Sequence, residues 1–202
     1  VSGVLSIIGT DIGGGSFNPI ISQYVNNGTY TETIPTGASN VTIELWGNTG
    51  FGGHGNTSVG SQGGGGGSGG YARSTYTVGS LGGVGKTFTI VVQAGASGAN
   101  STISAGTVTG FTAMAAPSGG NGGVGTTGTD GAGGSAGAIG TGGTASNQTG
   151  NAGQMGGGLG GGSGSGGAGV VGVNGTGNAG PNGTFTLANA PGLNGLAIFS
   201  YT

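Results

Sequence analysis

Val41-Thr42-Ile43-Glu44-Leu45-Trp46-Gly47 is the stretch on which the reading of this fold depends. Val41, Ile43 and Leu45 alternate with Thr42, Glu44 and Trp46, the period-two pattern of a strand with one apolar face, and at Gly47 the pattern stops. On this reading Glu44 faces solvent, and Trp46, the only Trp, anchors a core or an interface. Further along, Thr87-Phe88-Thr89-Ile90-Val91-Val92 is a β-branched run between Gly85 and Gly95. Segments 71–78, 101–109, 184–187 and 196–201 carry the same Thr, Val, Ile and aromatic bias that suits a pleated surface. No segment shows apolar residues at helical spacing, and glycine at this density penalises a helix by about 0.8–1 kcal/mol per site. The expected class is all-β.

Beyond the second dense block the pattern changes. Gly119, Gly122, Gly125, Gly128, Gly131, Gly134, Gly137, Gly140 and Gly143 begin consecutive Gly-X-Y triplets, and shorter in-phase runs start at Gly150, Gly166 and Gly177. A three-residue period implies a left-handed helix of the polyproline II type. Collagen requires far more proline than the nine consecutive triplets from Gly119 contain, which is none. The alternative is a bundle of polyglycine II helices, whose missing Cβ atoms let neighbours approach and pair N–H with C=O laterally. The phase break at 146–149 and the Asn-Gly pairs at Asn121, Asn174, Asn182 and Asn194 then read as turns.

Composition narrows the function. Of 202 residues, 60 are Gly, 5 Pro and none Cys, and only 3% are charged, with a formal net charge of −2. That excludes a basic nucleic-acid surface and a polybasic membrane anchor. With no Cys and the single His54, zinc, haem-attachment and disulfide frameworks lack their ligands, and neither a metal nor a cofactor is expected. A mean hydropathy of +0.11 with so little charge favours an ordered chain over a disordered one. No apolar run is long enough for a membrane span, and the apolar start 1–8 lacks a positive leader region.

The apparent catalytic motifs are products of glycine density. Gly85-Lys86-Thr87 imitates the end of a phosphate loop, but Ser80 stands where its first glycine belongs. Gly66-x-Ser68-x-Gly70 and Gly133-x-Ser135-x-Gly137 imitate a nucleophile elbow without the strand-to-helix context, and His54 is the only candidate base. Glu32 and Glu44 could be paired as carboxylates, but both read as solvent-facing strand residues. No catalytic residue is expected.

The order of elements carries a resemblance. Residues 29–37 lead into Val41 to Gly47; a glycine tract ends at 63–70; Tyr71-Ala72-Arg73 follows, then Phe88 to Val92, Gln93-Ala94-Gly95, further Gly-X-Y, and a closing Gly195-Leu196-Ala197-Ile198-Phe199-Ser200-Tyr201-Thr202. This resembles the glycine-rich domain of bacteriophage tail-fibre and other virion surface proteins, although Asn48 to His54 is less pure in glycine than that pattern. The resemblance implies a β-sandwich with a glycine-rich insertion of polyglycine II helices, located on the virion surface. It divides the chain into an attachment segment 1–28, sandwich strands 29–112 with a glycine-rich loop 47–70, a Gly-X-Y region 113–183, and closing strands 184–202.

On that resemblance the expected partners are other virion proteins of the carrier fibre, tail or capsid, further copies of the chain, and a host cell-surface glycan or outer-membrane protein. Neither nucleic acid nor membrane insertion is expected. Val4, Leu5, Ile7, Ile8 and Ile12 are the candidate attachment residues, and Asn147, Gln148, Gln154 and Met155, at or near phase breaks, the candidate receptor-binding residues. A purely structural decoration protein is the alternative, followed by an ice-binding or matrix protein.

Overall fold

A computed structural model describes residues 4–7, 17–56, 60–126, 129–157, 163–184 and 188–202, the first of these as backbone. Ten strands are found: β1 (Val4–Ile7), β2 (Ile20–Tyr24), β3 (Gly28–Thr33), β4 (Asn40–Trp46), β5 (Tyr71–Thr77), β6 (Thr87–Val92), β7 (Ser101–Ala105), β8 (Met114–Ala116), β9 (Ser146–Gln148) and β10 (Leu196–Tyr201). The only helical element among the described residues is the 3-10 turn Val78–Leu81, opened by the Thr77 hydroxyl and closed by Gly82 at φ 90°. The strands form two antiparallel sheets, β1-β2-β10-β4-β5-β9 and β3-β6-β7-β8.

The sheets pack as a sandwich, as expected, and the period-two pattern explains the core. Val41, Ile43 and Leu45 of β4 and Ala197, Phe199 and Tyr201 of β10 face Phe88, Ile90 and Val92 of β6, with Ile103 and Met114. Each Val, Leu, Ile, Phe or Met side chain so buried contributes about 1.5–3 kcal/mol. Phe88 and Phe199 meet across the sheets at 5.2 Å. Glu32 of β3 is buried as well, contrary to its expected solvent position; the Tyr24 hydroxyl of the opposite sheet donates to its carboxylate. Burial, reinforced by that carboxylate, pushes the Tyr24 and Tyr201 hydroxyls well above their ordinary titration range.

The remaining chain is organised around residues 62–70. The N–H groups of Gly64, Gly67 and Gly70 donate to Gly123, Gly120 and Pro117; those of Gly65 and Ser68 to Gln154 and Asn151; those of Gly63 and Gly66 to Thr184 and Pro181. Its carbonyls accept from Gly47, Gly50 and Gly53, from Gly131, Gly134 and Gly137, and from Gly164 and Gly167. Every bond set steps by three residues, which a backbone with about three residues per turn and no internal hydrogen bonds produces. The six neighbours also bond to one another in a ring: Gly122 to Phe51, Gly120 to Ser135, Gly153 to Gly134, Gln154 to Ser165, Gly180 to Gly167 and Thr184 to Gly53. Such spacing demands glycine, since a Cβ on Gly64 or Gly65 would lie 1.9 or 2.0 Å from a neighbour's carbonyl oxygen.

Several local expectations are corrected. The break at 146–149 is not a turn: residues 146–148 form β9, paired with β5. Asn121 and Asn182 are not turn residues either, since they lie within glycine segments and accept N–H bonds from Phe51 and Gly166. The strand expected over 101–109 ends at Ala105, where Gly106, Thr107 and Val108 turn back onto the Thr87 carbonyl. Thr184 belongs to the glycine array, and 185–187 lie outside the described residues.

Candidate functional site

The six-stranded sheet has a second covered face. Opposite the sandwich core, Trp46, Tyr71, Leu196 and Ile198 bury themselves with Val170. The cover is the hairpin-like turn 170–177, tied by a Gly172 to Gly175 bond of 2.8 Å and a bridge between Val171 and Thr176. Glycine admits it: a Cβ on Gly172 would stand 2.3 Å from the Glu44 carboxylate, and one on Gly177 2.3 Å from the Trp46 indole.

Glu44 is the clasp. Wholly buried, it accepts from the Tyr71 hydroxyl at 2.6 Å, from Val173 N–H at 2.7 Å and from Asn174 N–H at 2.8 Å. The Trp46 Nε1–H donates to the Val170 carbonyl at 2.8 Å. The expectation that Glu44 faces solvent is therefore corrected, while the anchoring role of Trp46 stands. Burial first, and then the Glu44 carboxylate, drive the Tyr71 hydroxyl above its ordinary titration range, so it remains a donor throughout the neutral range.

Beside this clasp lies an open cleft of about 640 Å³, where the edge strand β9 meets the glycine array. Register puts Gln148 opposite Tyr71 on the covered face of the sheet. The floor is rigid. Asn147 bonds Gly143 through both ends of its amide, at 3.1 and 3.0 Å, and Asn151 Nδ2 holds the Ala168 carbonyl at 2.9 Å. Among the described residues the Gln148 side chain has no such partner, so its amide is available to a ligand beside Thr149. Ile139 and Val171, 53% and 68% exposed, form aliphatic walls. Among the described residues, no charged group lines the cleft.

Two of the candidate receptor-binding residues, Asn147 and Gln148, are thus brought together, the first closing the structure and the second free. Gln154 and Met155 lie in the segment that packs on 62–70 and do not line the cleft; Met155 is 66% exposed. Of the candidate attachment residues, Val4, Leu5 and Ile7 lie on the edge strand β1, and Ile8 and Ile12 lie outside the described residues. Sequence reasoning missed Ile139, Thr149, Asn151 and Val171. The one available signal was that Ile139 and Val171 are large apolar residues in a glycine-rich region sparse in them. His54 is a loop residue paired with Asn189 at 2.8 Å, and the described residues hold no cluster of metal-ligating side chains.

Comparison with known proteins adds one finding. A family model described as a glycine-rich domain matches residues 25–199, which covers the chain from the turn before β3 into β10. No curated protein matches the chain.

Proposed function

The chain belongs to the glycine-rich domain family, and from that premise we propose that it is a non-enzymatic surface protein of a bacteriophage virion, a tail fibre or fibre-tip adhesin. The observation that carries this reading is the cleft beside β9: one free amide and one hydroxyl between two exposed aliphatic walls, next to lining residues whose own amides are already tied down. A rigid site loses little entropy on binding, which suits a surface that must act outside the cell on a low-affinity target. Its uncharged lining fits an uncharged ligand, and alternating polar and aliphatic groups fit a neutral cell-surface glycan better than a charged protein loop. Lateral glycine pairing, read as polyglycine II helices, is the scaffold that holds the cleft, and residues 1–28 dock on the carrier.

The test is binding of labelled protein to candidate host cells. Saturable binding that survives protease treatment of the cells, is lost on periodate oxidation of their glycans and weakens about tenfold or more in Gln148→Ala supports the reading. Protease-sensitive binding shifts the target to an outer-membrane protein, and no binding removes the adhesin role. A second reading, a decoration protein that only stabilises the particle, is favoured by Met155 and Val173. These are 66% and 64% exposed and lie outside the cleft, where a neighbouring copy would cover them.

A further inference from the structure

Asn-Gly occurs five times, at Asn27, Asn121, Asn174, Asn182 and Asn194. Its known chemistry requires two groups to be free: the backbone N–H of the glycine, which attacks, and the asparagine side chain, which is attacked. In three of the pairs both are occupied. Gly122 N–H donates to Phe51 while Asn121 Oδ1 accepts from Phe51 N–H; Gly183 N–H donates to Gly164 while Asn182 Oδ1 accepts from Gly166. Gly195 N–H donates to Gln93 while the Asn194 amide holds Gly95 and Val25. Gly28, after Asn27, lies in the β3–β6 ladder opposite Val92.

Asn174-Gly175 differs from those three on every count. Asn174 is exposed, and among the described residues its side-chain amide makes no hydrogen bond and the Gly175 N–H has no acceptor; the Asn174 backbone N–H is engaged, by Glu44. We propose that Asn174-Gly175 is a spontaneous modification site, open to deamidation in the native fold where the Asn121, Asn182 and Asn194 pairs are closed. The Gly175 nitrogen, giving its proton to solvent base, forms a bond to Asn174 Cγ, and the side-chain nitrogen leaves as ammonia. Water then opens the cyclic imide at either carbonyl, leaving aspartate or isoaspartate. Either product adds a carboxylate to the residue whose backbone N–H Glu44 holds, and isoaspartate also lengthens the main chain between Asn174 and Gly175, directly after that N–H. The hairpin 170–177 then loses its clasp, and Val170 and Val171, which wall the cleft, move with it. The fold so contains a timer acting on its own binding site.

Peptide mapping by mass spectrometry, with enzymatic detection of isoaspartate, follows the full chain during incubation in mildly alkaline buffer, folded and in parallel in denaturing urea. The folded protein is expected to convert at Asn174 about tenfold or more faster than at Asn121, Asn182 or Asn194, because those pairs must first open a native bond. In urea the pairs are expected to converge. Trp46 emission is expected to shift red in step with conversion in the folded sample, and Asn174→Gln to suppress both changes. Equal native rates across the pairs, or a silent Asn174 peptide, would overturn the assignment, and conversion with unchanged Trp46 emission would overturn release of the hairpin. The result is independent of whether the cleft binds a glycan.

Discussion

Gly65→Ala places one methyl group at the centre of the glycine array. Its Cβ would lie 2.0 Å from the Ser165 carbonyl oxygen and 2.4 Å from the carbon, where ordinary contact begins at 3.4 Å, so the neighbour must retreat by 1.4 Å. That retreat strains the bonds joining these segments: Gly65 to Gln154 at 2.9 Å, Gln154 to Ser165 at 2.8 Å, Gly164 to Gly63 at 3.0 Å and Gly167 to Gly66 at 2.9 Å. At about 1 kcal/mol net each, losing three or four costs about 3–4 kcal/mol. The smaller conformational freedom of alanine in the unfolded chain returns about 0.4–1 kcal/mol, so the net loss is about 3 kcal/mol. For a chain of this length that corresponds to a fall in Tm of about 6–12 °C. The control is Gly79→Ala in the exposed 3-10 turn, where an added Cβ meets nothing within 4 Å. This second variant is expected to gain about 0.4–1 kcal/mol. Urea and thermal unfolding of both variants make the comparison. Equal stabilities would refute the claim that close lateral pairing holds this region.

Other outcomes follow from the same geometry. Glu44→Gln keeps the shape but not the charge and leaves one part-buried N–H of the 170–177 turn facing an amide nitrogen; a loss of about 3 kcal/mol and a red shift of Trp46 emission are expected in chemical unfolding. Gln148→Ala is expected to leave the unfolding midpoint within about 0.5 kcal/mol of the parent, since its side chain bonds nothing among the described residues, while weakening glycan binding. For alkali the sign is set by Tyr24, Tyr71 and Tyr201, whose hydroxyls titrate higher in the folded than in the unfolded chain. The unfolded state gives up these protons first, so their contribution is intact below the ordinary tyrosine value of 10.0 and is lost as pH rises beyond it. Each such group steepens the fall by about 1.4 kcal/mol per pH unit, measurable as urea midpoints against pH together with tyrosinate absorbance.

The strands that fill the core were legible because apolar side chains at period two leave little choice of face: Val41, Ile43, Leu45, Phe88 and Ile90 all stand where the alternation puts them. The strand β9 was not, since Ser-Asn-Gln carries no apolar pattern and its place is decided by its partner β5. The glycine period was visible at 119–143, but which segments pair with which was not. A glycine N–H offers every neighbour the same donor, and the choice rests on chain connectivity and on the few non-glycine positions such as Ser68. Glu44 was misread because the group that covers it, the 170–177 turn, lies far along the chain; Trp46, on the same face of β4, was the signal that this face is not open to water. The cleft is likewise assembled from residues 139, 147–151 and 169–171, whose proximity no local pattern reveals.

Immunogold labelling of purified phage particles with antibody against this chain tests the proposed role most directly. A virion adhesin predicts label concentrated at the fibre tips, whereas particles without label would contradict a place on the virion.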